Sequence, residues 1–191
     1  MIIGILDIMG SVEEHAAALD RCGVEVRMVK SPEDFDSLDG LIIPGGESTT
    51  IGDLLDVYSL KPKTSNLPIW GTCAGAILLA KEVGNRKPRV GLRLMDIAVD
   101  RNSYGGQLNS FETELDISFP DDARTKRPFN GVFIRAPKIK KAGKKAKILA
   151  SYDGFAVMVR EGNYLATTFH PELTNDLRVH KYFIKIVSDH K

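Results

Sequence analysis

The run Leu67-Pro68-Ile69-Trp70-Gly71-Thr72-Cys73-Ala74-Gly75-Ala76-Ile77-Leu78-Leu79-Ala80-Lys81 constrains this chain more than any other stretch. It predicts a short buried strand, a sharp turn and a helix opening at Ala74. Gly71 and Gly75 stand two residues to either side of Cys73, the spacing of a nucleophile elbow with cysteine at the nucleophile position. The requirement is steric: on so tight a strand-to-helix turn, side chains at the flanking positions collide with neighbouring backbone. The first helix amides then face the sulfur, and their partial positive charge favours thiolate over thiol. The Ala74 N–H is placed to donate to an oxyanion formed by attack on a carbonyl. A buried structural cysteine fits the same run, and the elbow alone leaves both readings open.

The segments before the elbow supply the sheet it needs. Ile2-Ile3-Gly4-Ile5-Leu6 is a continuous apolar run suited to a strand covered on both faces. Ser11, with Glu14 three residues on, has the capping-box pattern for a helix that carries Val12, Ala16, Leu19 and Cys22 near one face and stops at Gly23. A second strand is expected over residues 24–29, a helical turn from Ser31-Pro32, and a third strand at Leu41-Ile42-Ile43. This rhythm predicts an α/β fold: a doubly wound, mostly parallel sheet with helices on both faces, to which later segments add antiparallel strands.

The third strand runs into Pro44-Gly45-Gly46-Glu47-Ser48-Thr49-Thr50. Adjacent glycines just beyond a buried strand suit unusual backbone angles or close approach of a ligand, and ligands of such sheets lie beyond the carboxyl ends of the strands. Cys73 lies beyond another such end, so the two loops are expected to face one cleft. The alternative is a plain turn with Ser48 capping a helix over residues 49–57. A phosphate-binding P-loop is excluded, because the spaced glycines and the Lys-Ser/Thr pair are missing.

Beyond the elbow, strands are expected over residues 97–99 and 113–117, separated by the glycine-rich loop of residues 100–107. Phe129-Asn130-Gly131-Val132-Phe133-Ile134-Arg135-Ala136-Pro137 puts an arginine at the end of an apolar strand. A hairpin follows over 155–160 and 164–169, then a helix over 175–188 with Leu177, Tyr182, Ile184 and Val187 for its buried side. Lys138, Lys140, Lys141, Lys144, Lys145 and Lys147 read as a solvated loop or a lysine-protected strand edge. They lack the interleaved aromatics of a nucleic-acid surface, and a formal net charge of +1 favours neither nucleic acid nor a membrane surface as partner. With 191 residues and no linker, repeat or low-complexity tract, one domain over 1–191 is expected. Two cysteines in unlike settings do not form a disulfide framework, no apolar run reaches membrane-span length, and the first residues enter a strand without a basic segment. A cytoplasmic setting is expected.

The second chemical signal is Thr168-Phe169-His170-Pro171-Glu172. His170 sits where an apolar strand ends, and Pro171 stops the strand and stiffens its exit. Glu172 can hold the imidazole in one tautomer if the loop turns back. A cysteine, a histidine base and a carboxylate orienter are the parts of an acyl-transfer triad. His15, His180 and His190 read as structural hydrogen-bonders, the first two on helix surfaces and the last on the tail. No histidine or cysteine pair has metal-ligand spacing, so neither a metal nor another cofactor is expected.

Gly71-Thr72-Cys73-Ala74-Gly75 together with His170-Pro171-Glu172 resembles the triad-type, class I glutamine amidotransferases. Pro44–Thr50, Arg101-Asn102-Ser103-Tyr104-Gly105, Ser110-Phe111-Glu112, Val132–Pro137 and Phe169–Thr174, in that order across nearly the whole chain, are similar to the glutaminase subunits of pyridoxal phosphate synthase. The resemblance implies hydrolysis of glutamine to glutamate and ammonia through a thioester, with ammonia passed to a separate synthase (lyase) subunit in a large hetero-oligomer. It implies Cys73 as nucleophile, His170 as base and acid, and Glu172 as orienter. Gly46, Glu47, Ser48, Arg101, Ile134 and Arg135 match the family's glutamine-binding positions, with the Gly46 and Ala74 amides as oxyanion donors. An arginine suits the substrate carboxylate because its fork bonds both oxygens. The chain departs from the family at Met9, where glutamine is usual, and at Gly106, where arginine is usual.

Overall fold

Alternation of side chains along a few short apolar strands sets the architecture. The computed structural model describes residues 1–59, 66–84, 90–101, 110–120 and 127–190. In chain order these form β1 (Ile2–Leu6), α1 (Val12–Asp20), β2 (Glu25–Val29), a 3-10 turn (Pro32–Phe35), β3 (Gly40–Ile43), α2 (Ser48–Val57), β4 (Ile69–Thr72), α3 (Ala74–Leu79) and β5 (Ala80–Val83). There follow β6 (Met95–Asp100), β7 (Ser110–Leu115), β8 (Phe129–Ile134), β9 (Lys138–Ala142), β10 (Lys147–Tyr152), β11 (Phe155–Glu161), β12 (Tyr164–Thr167), a second 3-10 turn (Pro171–Leu173) and α4 (Arg178–Asp189).

Among the described residues a 10-stranded sheet runs in the order β2-β1-β3-β4-β12-β11-β9-β6-β5, with β10 paired to β11, and β7-β8 form a separate 2-stranded sheet. From β2 to β12 the neighbours are parallel. From β12 through β11 and β9 to β6 they are antiparallel. The doubly wound half is the one that carries the site. There, Ile3, Ile5, Ile42, Trp70 and Leu165 point to one face, against α1 and α4 through Leu19, Val179 and Phe183. Leu6, Leu41, Ile43, Ile69 and Ala166 point to the other, against α2 and α3 through Ile51, Leu55 and Leu78. A strand buried on both faces needs apolar residues at every position, which is why these segments read as continuous runs rather than alternating ones.

Several local expectations shift. Ser11 precedes α1 but makes no capping bond: its ψ of 55° follows the Gly10 turn and is not the extended backbone a capping side chain needs. Ser31 and Asp34 form a capping box instead, at the first 3-10 turn. The strand expected over 113–117 is β7, earlier by a few residues, because pairing with β8 runs from Ser110↔Ile134 to Leu115↔Phe129. Helix α4 opens at Arg178 rather than near residue 175, since Asp176 turns its carboxylate onto the Arg178 N–H (3.1 Å) and guanidinium. The lysine cluster spans β9, its turn and β10. Strand β9 is interior to the sheet, with Ile139 buried and Lys140 paired to Asp100 at its surface. No helix of the described residues is long and apolar enough to cross a membrane.

Candidate active site

The carboxyl ends of β3, β4 and β12 lie side by side, with Ile43↔Gly71 and Thr167↔Thr72 in register. Each strand releases a loop there: Gly45-Gly46 after β3, Cys73 after β4, and His170 after β12. The crevice beyond such strand ends is where open α/β sheets hold their ligands.

The elbow is as tight as its glycines require. Cys73 has φ +48° and ψ −101°, a backbone conformation that side-chain-bearing residues rarely adopt. A Cβ on Gly71 would run into the Gly75 backbone, and one on Gly75 into the Ile43 carbonyl. The Cys73 N–H is tied to the Thr167 carbonyl (2.8 Å), and α3 opens at the next residue. The strain is held by backbone on both sides, and the thiol stands at the mouth of the crevice, 8% exposed.

His170 reaches the thiol from the neighbouring strand. Its backbone N–H bonds the Val132 carbonyl (2.8 Å), and Phe169 before it packs against Phe129 and Phe133 of β8. The 3-10 turn at Pro171 folds Glu172 back beneath the ring, where Oε1 lies 2.7 Å from His170 Nδ1. With Nδ1 engaged there, the other ring nitrogen is left for Cys73, which stands beside the ring next to Gly45. Burial works against charge on His170, but the bonds and charges of Cys73 and Glu172 outweigh it and raise its pKa to about 10. Burial likewise opposes ionisation of Glu172, yet its histidine neighbours lower its pKa to about 2. His170 is raised from 6.5, so its stabilising contribution is full below that pH and is lost towards about 10. Glu172 is depressed from 4.5, so its contribution is full above that pH and is lost towards about 2. The pair is at full strength between about 4.5 and 6.5.

Over this arrangement opens a cavity of about 230 Å³. Gly46, Glu47, Ser48, Cys73, Ala74, Arg101, Ile134, Arg135 and His170 all line it, while Glu172 lies behind His170. The residues given catalytic, oxyanion or glutamine-binding roles from the sequence are thus brought to one place. Ile77 and Pro137 also line it and were not singled out. Gly46 has φ +148°, and the Met9 side chain packs beneath it, with its sulfur 3.5 Å from the Glu47 N–H. Arg101 donates to Thr49 Oγ1 (2.8 Å), which ties it to the same loop. Arg135 follows β8 with φ +44° and is exposed at the rim. Residues 102–109, including Gly106, lie outside the described residues.

Glu47, not Ser48, caps α2. Its carboxylate accepts from the N–H of Thr49 (3.1 Å) and of Thr50 (2.6 Å), and from the Thr50 hydroxyl. Its side chain is therefore spent on the helix, which leaves the loop backbone to face the cavity. Those bonds hold its pKa near 2, so the cap is present above about 4.5 and lost as pH falls through about 2. Glu47→Ala is expected to cost about 1 kcal/mol of unfolding free energy near neutrality. In denaturant titrations the gap to wild type should close as the pH is lowered from about 4.5 towards 2. A gap independent of pH would show that the carboxylate does not carry the cap.

Two histidines expected on helix surfaces are instead in the core: His15 and His180 are both 0% exposed. His15 Nδ1 lies 3.1 Å from His180 Nε2, and His15 Nε2 lies 3.3 Å from Thr72 Oγ1 and 3.5 Å from Glu172 Oε2. A signal for this is present in the sequence. Val12, His15 and Leu19, like His180, Phe183 and Val187, follow the i, i+3, i+7 spacing of a buried helix face. The His190 ring, by contrast, lies 2.9 Å from the Asn163 side-chain nitrogen near the end of α4. Among the described residues no group of three or more His, Cys, Asp or Glu side chains could hold a metal ion.

Comparison with known proteins places this chain in a family. The model of the SNO glutamine amidotransferase family matches residues 5–189. The "Pyridoxal 5'-phosphate synthase subunit PdxT" of Thermotoga petrophila is 50% identical, over 98% of this chain and 100% of its own length. The protein of the same name from Geobacillus kaustophilus is 47% identical over 100% of this chain and 97% of its own. A crystal structure described as a glutamine amidotransferase superposes with a TM-score of 0.87 at 40% identity, covering 98% of this chain and 100% of that one.

Proposed function

The chain belongs to the SNO glutamine amidotransferase family, and from that premise we propose how its own residues carry the reaction. It is a glutaminase subunit of pyridoxal 5'-phosphate synthase and supplies ammonia from glutamine. The observation that carries the assignment of roles is the hydrogen-bonded His170–Glu172 pair beside Cys73, with Cys73 and His170 lining one cavity walled by the Gly46 loop, Arg101 and Arg135.

Glutamine enters with its side-chain amide towards Cys73 and its α-carboxylate towards the arginines of the rim. The sulfur attacks the amide carbon, and His170 holds the proton taken from the thiol. The oxygen becomes an oxyanion between the Gly46 and Ala74 amides, whose N–H dipoles would stabilise the developing charge in this partly enclosed cavity. As the C–N bond breaks, His170 passes its proton to the departing nitrogen, which leaves as ammonia, and a thioester remains on Cys73. Water then enters, gives a proton to His170 and attacks the thioester carbon. Glutamate departs and the sulfur recovers its proton. Glu172 stays ionised throughout, fixing the ring's orientation and stabilising its positive charge. Ile134 contributes its backbone: its carbonyl lies 3.9 Å from the Cys73 sulfur and closes that side of the pocket.

The ammonia passes to the synthase (lyase) subunit in a large hetero-oligomer, in the cytoplasm, with residues 1–191 acting as one glutaminase unit. The relatives' shared name as a subunit of that synthase supports the partner. The test is release of glutamate and ammonia from glutamine by the chain alone and with the synthase subunit. Stoichiometric products are expected, and their absence in both states would overturn the reading.

Arg101→Ala and Arg135→Ala separate the two rim cations. A hydrogen bond to a charged group is worth about 1.5–3 kcal/mol, so the arginine that holds the α-carboxylate should lose roughly ten- to a hundredfold in kcat/KM. The Arg101 effect should include loosening of the Thr49 contact. Efficiency within about twofold of wild type would remove that arginine from substrate binding.

A further inference from the structure

The carboxylate at the end of the triad has a second oxygen that the mechanism does not use. Glu172 is 6% exposed; its Oε1 is engaged by His170, while its Oε2 is buried without a hydrogen-bond partner. Facing it is the His15 ring, whose Nε2 lies 3.5 Å away. We propose that His15 is a positioning residue for the triad, its Nε2–H bonded to the Thr72 hydroxyl oxygen while the same edge of the ring faces Glu172 Oε2 at 3.5 Å, and its tautomer set by His180. The proposal rests on the glutaminase reading for its kinetic consequence, but not for its geometry.

The tautomer follows from what each nitrogen faces. His15 Nδ1 and His180 Nε2 are 3.1 Å apart and share one proton between them. If His180 donates, His15 Nδ1 accepts, and the His15 proton sits on Nε2. It then faces the Thr72 hydroxyl oxygen at 3.3 Å and the carboxylate at 3.5 Å, both acceptors. The atom left over is His180 Nδ1, buried without a partner, which is then a bare lone pair. If His15 donates instead, its bare Nε2 confronts a carboxylate, and His180 Nδ1 becomes an orphaned buried N–H. A missing acceptor bond is tolerated more readily than an orphaned donor. The first arrangement therefore wins at both ends. Burial also disfavours charge on either ring and lowers both pKa values, so two neutral imidazoles stand in series, each with its proton turned towards Glu172.

The scaffold holds the rings in this order. Trp70 of β4 packs edge-on against both, with centroids 5.2 Å from His15 and 4.9 Å from His180, and its own N–H is committed to Thr167 Oγ1 (3.1 Å). Helices α1 and α4 thus each contribute one ring beneath the carboxylate. At 3.5 Å the contact is a dipole directed at a charge rather than a short hydrogen bond, so its expected share is at the low end for charged partners, about tenfold in rate.

Two measurements test this. Long-range 1H–15N correlation spectra of the histidine rings in the wild-type chain should show both His15 and His180 as neutral Nε2–H tautomers near neutral pH. A protonated His15, or its Nδ1–H form, would overturn the proposal. In the complex with the synthase subunit, His15→Leu should lower kcat roughly tenfold with the KM for glutamine within about twofold. His15→Gln, which restores an N–H near the Nε2 position, should recover most of the loss. Equal losses in both variants would mark His15 as packing alone, and no loss in either would remove it from the triad's support. If His15→Leu does not fold, the spectra and His15→Gln still decide, since the latter must retain kcat within about threefold. Absence of glutaminase activity in the wild type would fail the functional reading, and the ring tautomers would still stand or fall on their own.

Discussion

Cys73→Ala is expected to abolish ammonia release while leaving the fold and the docking to the synthase subunit intact. The substitution removes one sulfur from a side chain that is 8% exposed and whose backbone is held by the Thr167 carbonyl. The alanine Cβ occupies the position that the cysteine Cβ already has. What disappears is the nucleophile, and neither remaining member of the triad can replace it: His170 stands beside the missing sulfur as a base and Glu172 is engaged behind the ring. A loss of more than about a thousandfold in kcat is expected, with His170→Ala nearly as damaging and the double variant little worse than either, because members of such a unit do not act additively. Cys22→Ala serves as the control. That thiol lies at the end of α1, and burial pushes its pKa up, the setting of an unreactive cysteine. Substantial turnover by Cys73→Ala would remove the nucleophile assignment.

Gly45→Ala is expected to lower kcat by about a hundredfold or more through sterics alone. A Cβ at this position would lie 2.5 Å from His170 Cε1 and 3.4 Å from the Cys73 Cβ, inside the space the triad occupies. Ordinary contact needs about 1 Å more for the ring. The ring cannot yield easily, because Glu172 holds Nδ1 at 2.7 Å and the residue is only 5% exposed. Displacements of about 1 Å in a catalytic group cost on the order of a hundredfold in rate. Gly45 is not among the positive-φ glycines, so alanine is permitted by its backbone and the effect is not one of chain conformation. Steady-state kinetics of the complex, beside thermal unfolding of the isolated chain, would separate the two. Turnover within about threefold of wild type would show that His170 has slack the structure does not suggest.

The parts of the site that were legible in the sequence are those whose chemistry demands a residue type at a fixed spacing. Gly71 and Gly75 around Cys73 announce a turn that no side chain could enter. His170-Pro171-Glu172 announces a strand exit that folds back. The Gly45-Gly46 pair was read as a place of unusual backbone, and Gly46 does take φ +148°. What was misread was set by partners distant in sequence. Ser48 fits the pattern of a cap for α2, yet the two unpaired amides at the start of that helix take the Glu47 carboxylate instead. His15 and His180 looked like surface residues because polar side chains usually are. The i, i+3, i+7 spacing pointed the other way, but an apolar face does not say what a buried histidine will bond.

The sequence alone determined the local conformations and the order in which they occur. Strand β1, the strained turn at Cys73, the parallel-sheet rhythm and the loops at strand ends all follow from side-chain size, glycine placement and apolar runs, which act within a few residues. Only the tertiary structure decided which of these ends meet. Strand β12 lies beside β4 although Tyr164 and Ile69 are far apart in the chain, and that pairing is what brings His170 to Cys73. It likewise slid α1 and α4 together under Glu172, a juxtaposition of residues 165 positions apart in the case of His15 and His180. The reason is physical. Local preferences fix backbone angles, whereas long-range pairing is selected by burial of apolar faces and by satisfaction of the polar groups that burial traps. Those are properties of the assembled core, and no short stretch of sequence contains them.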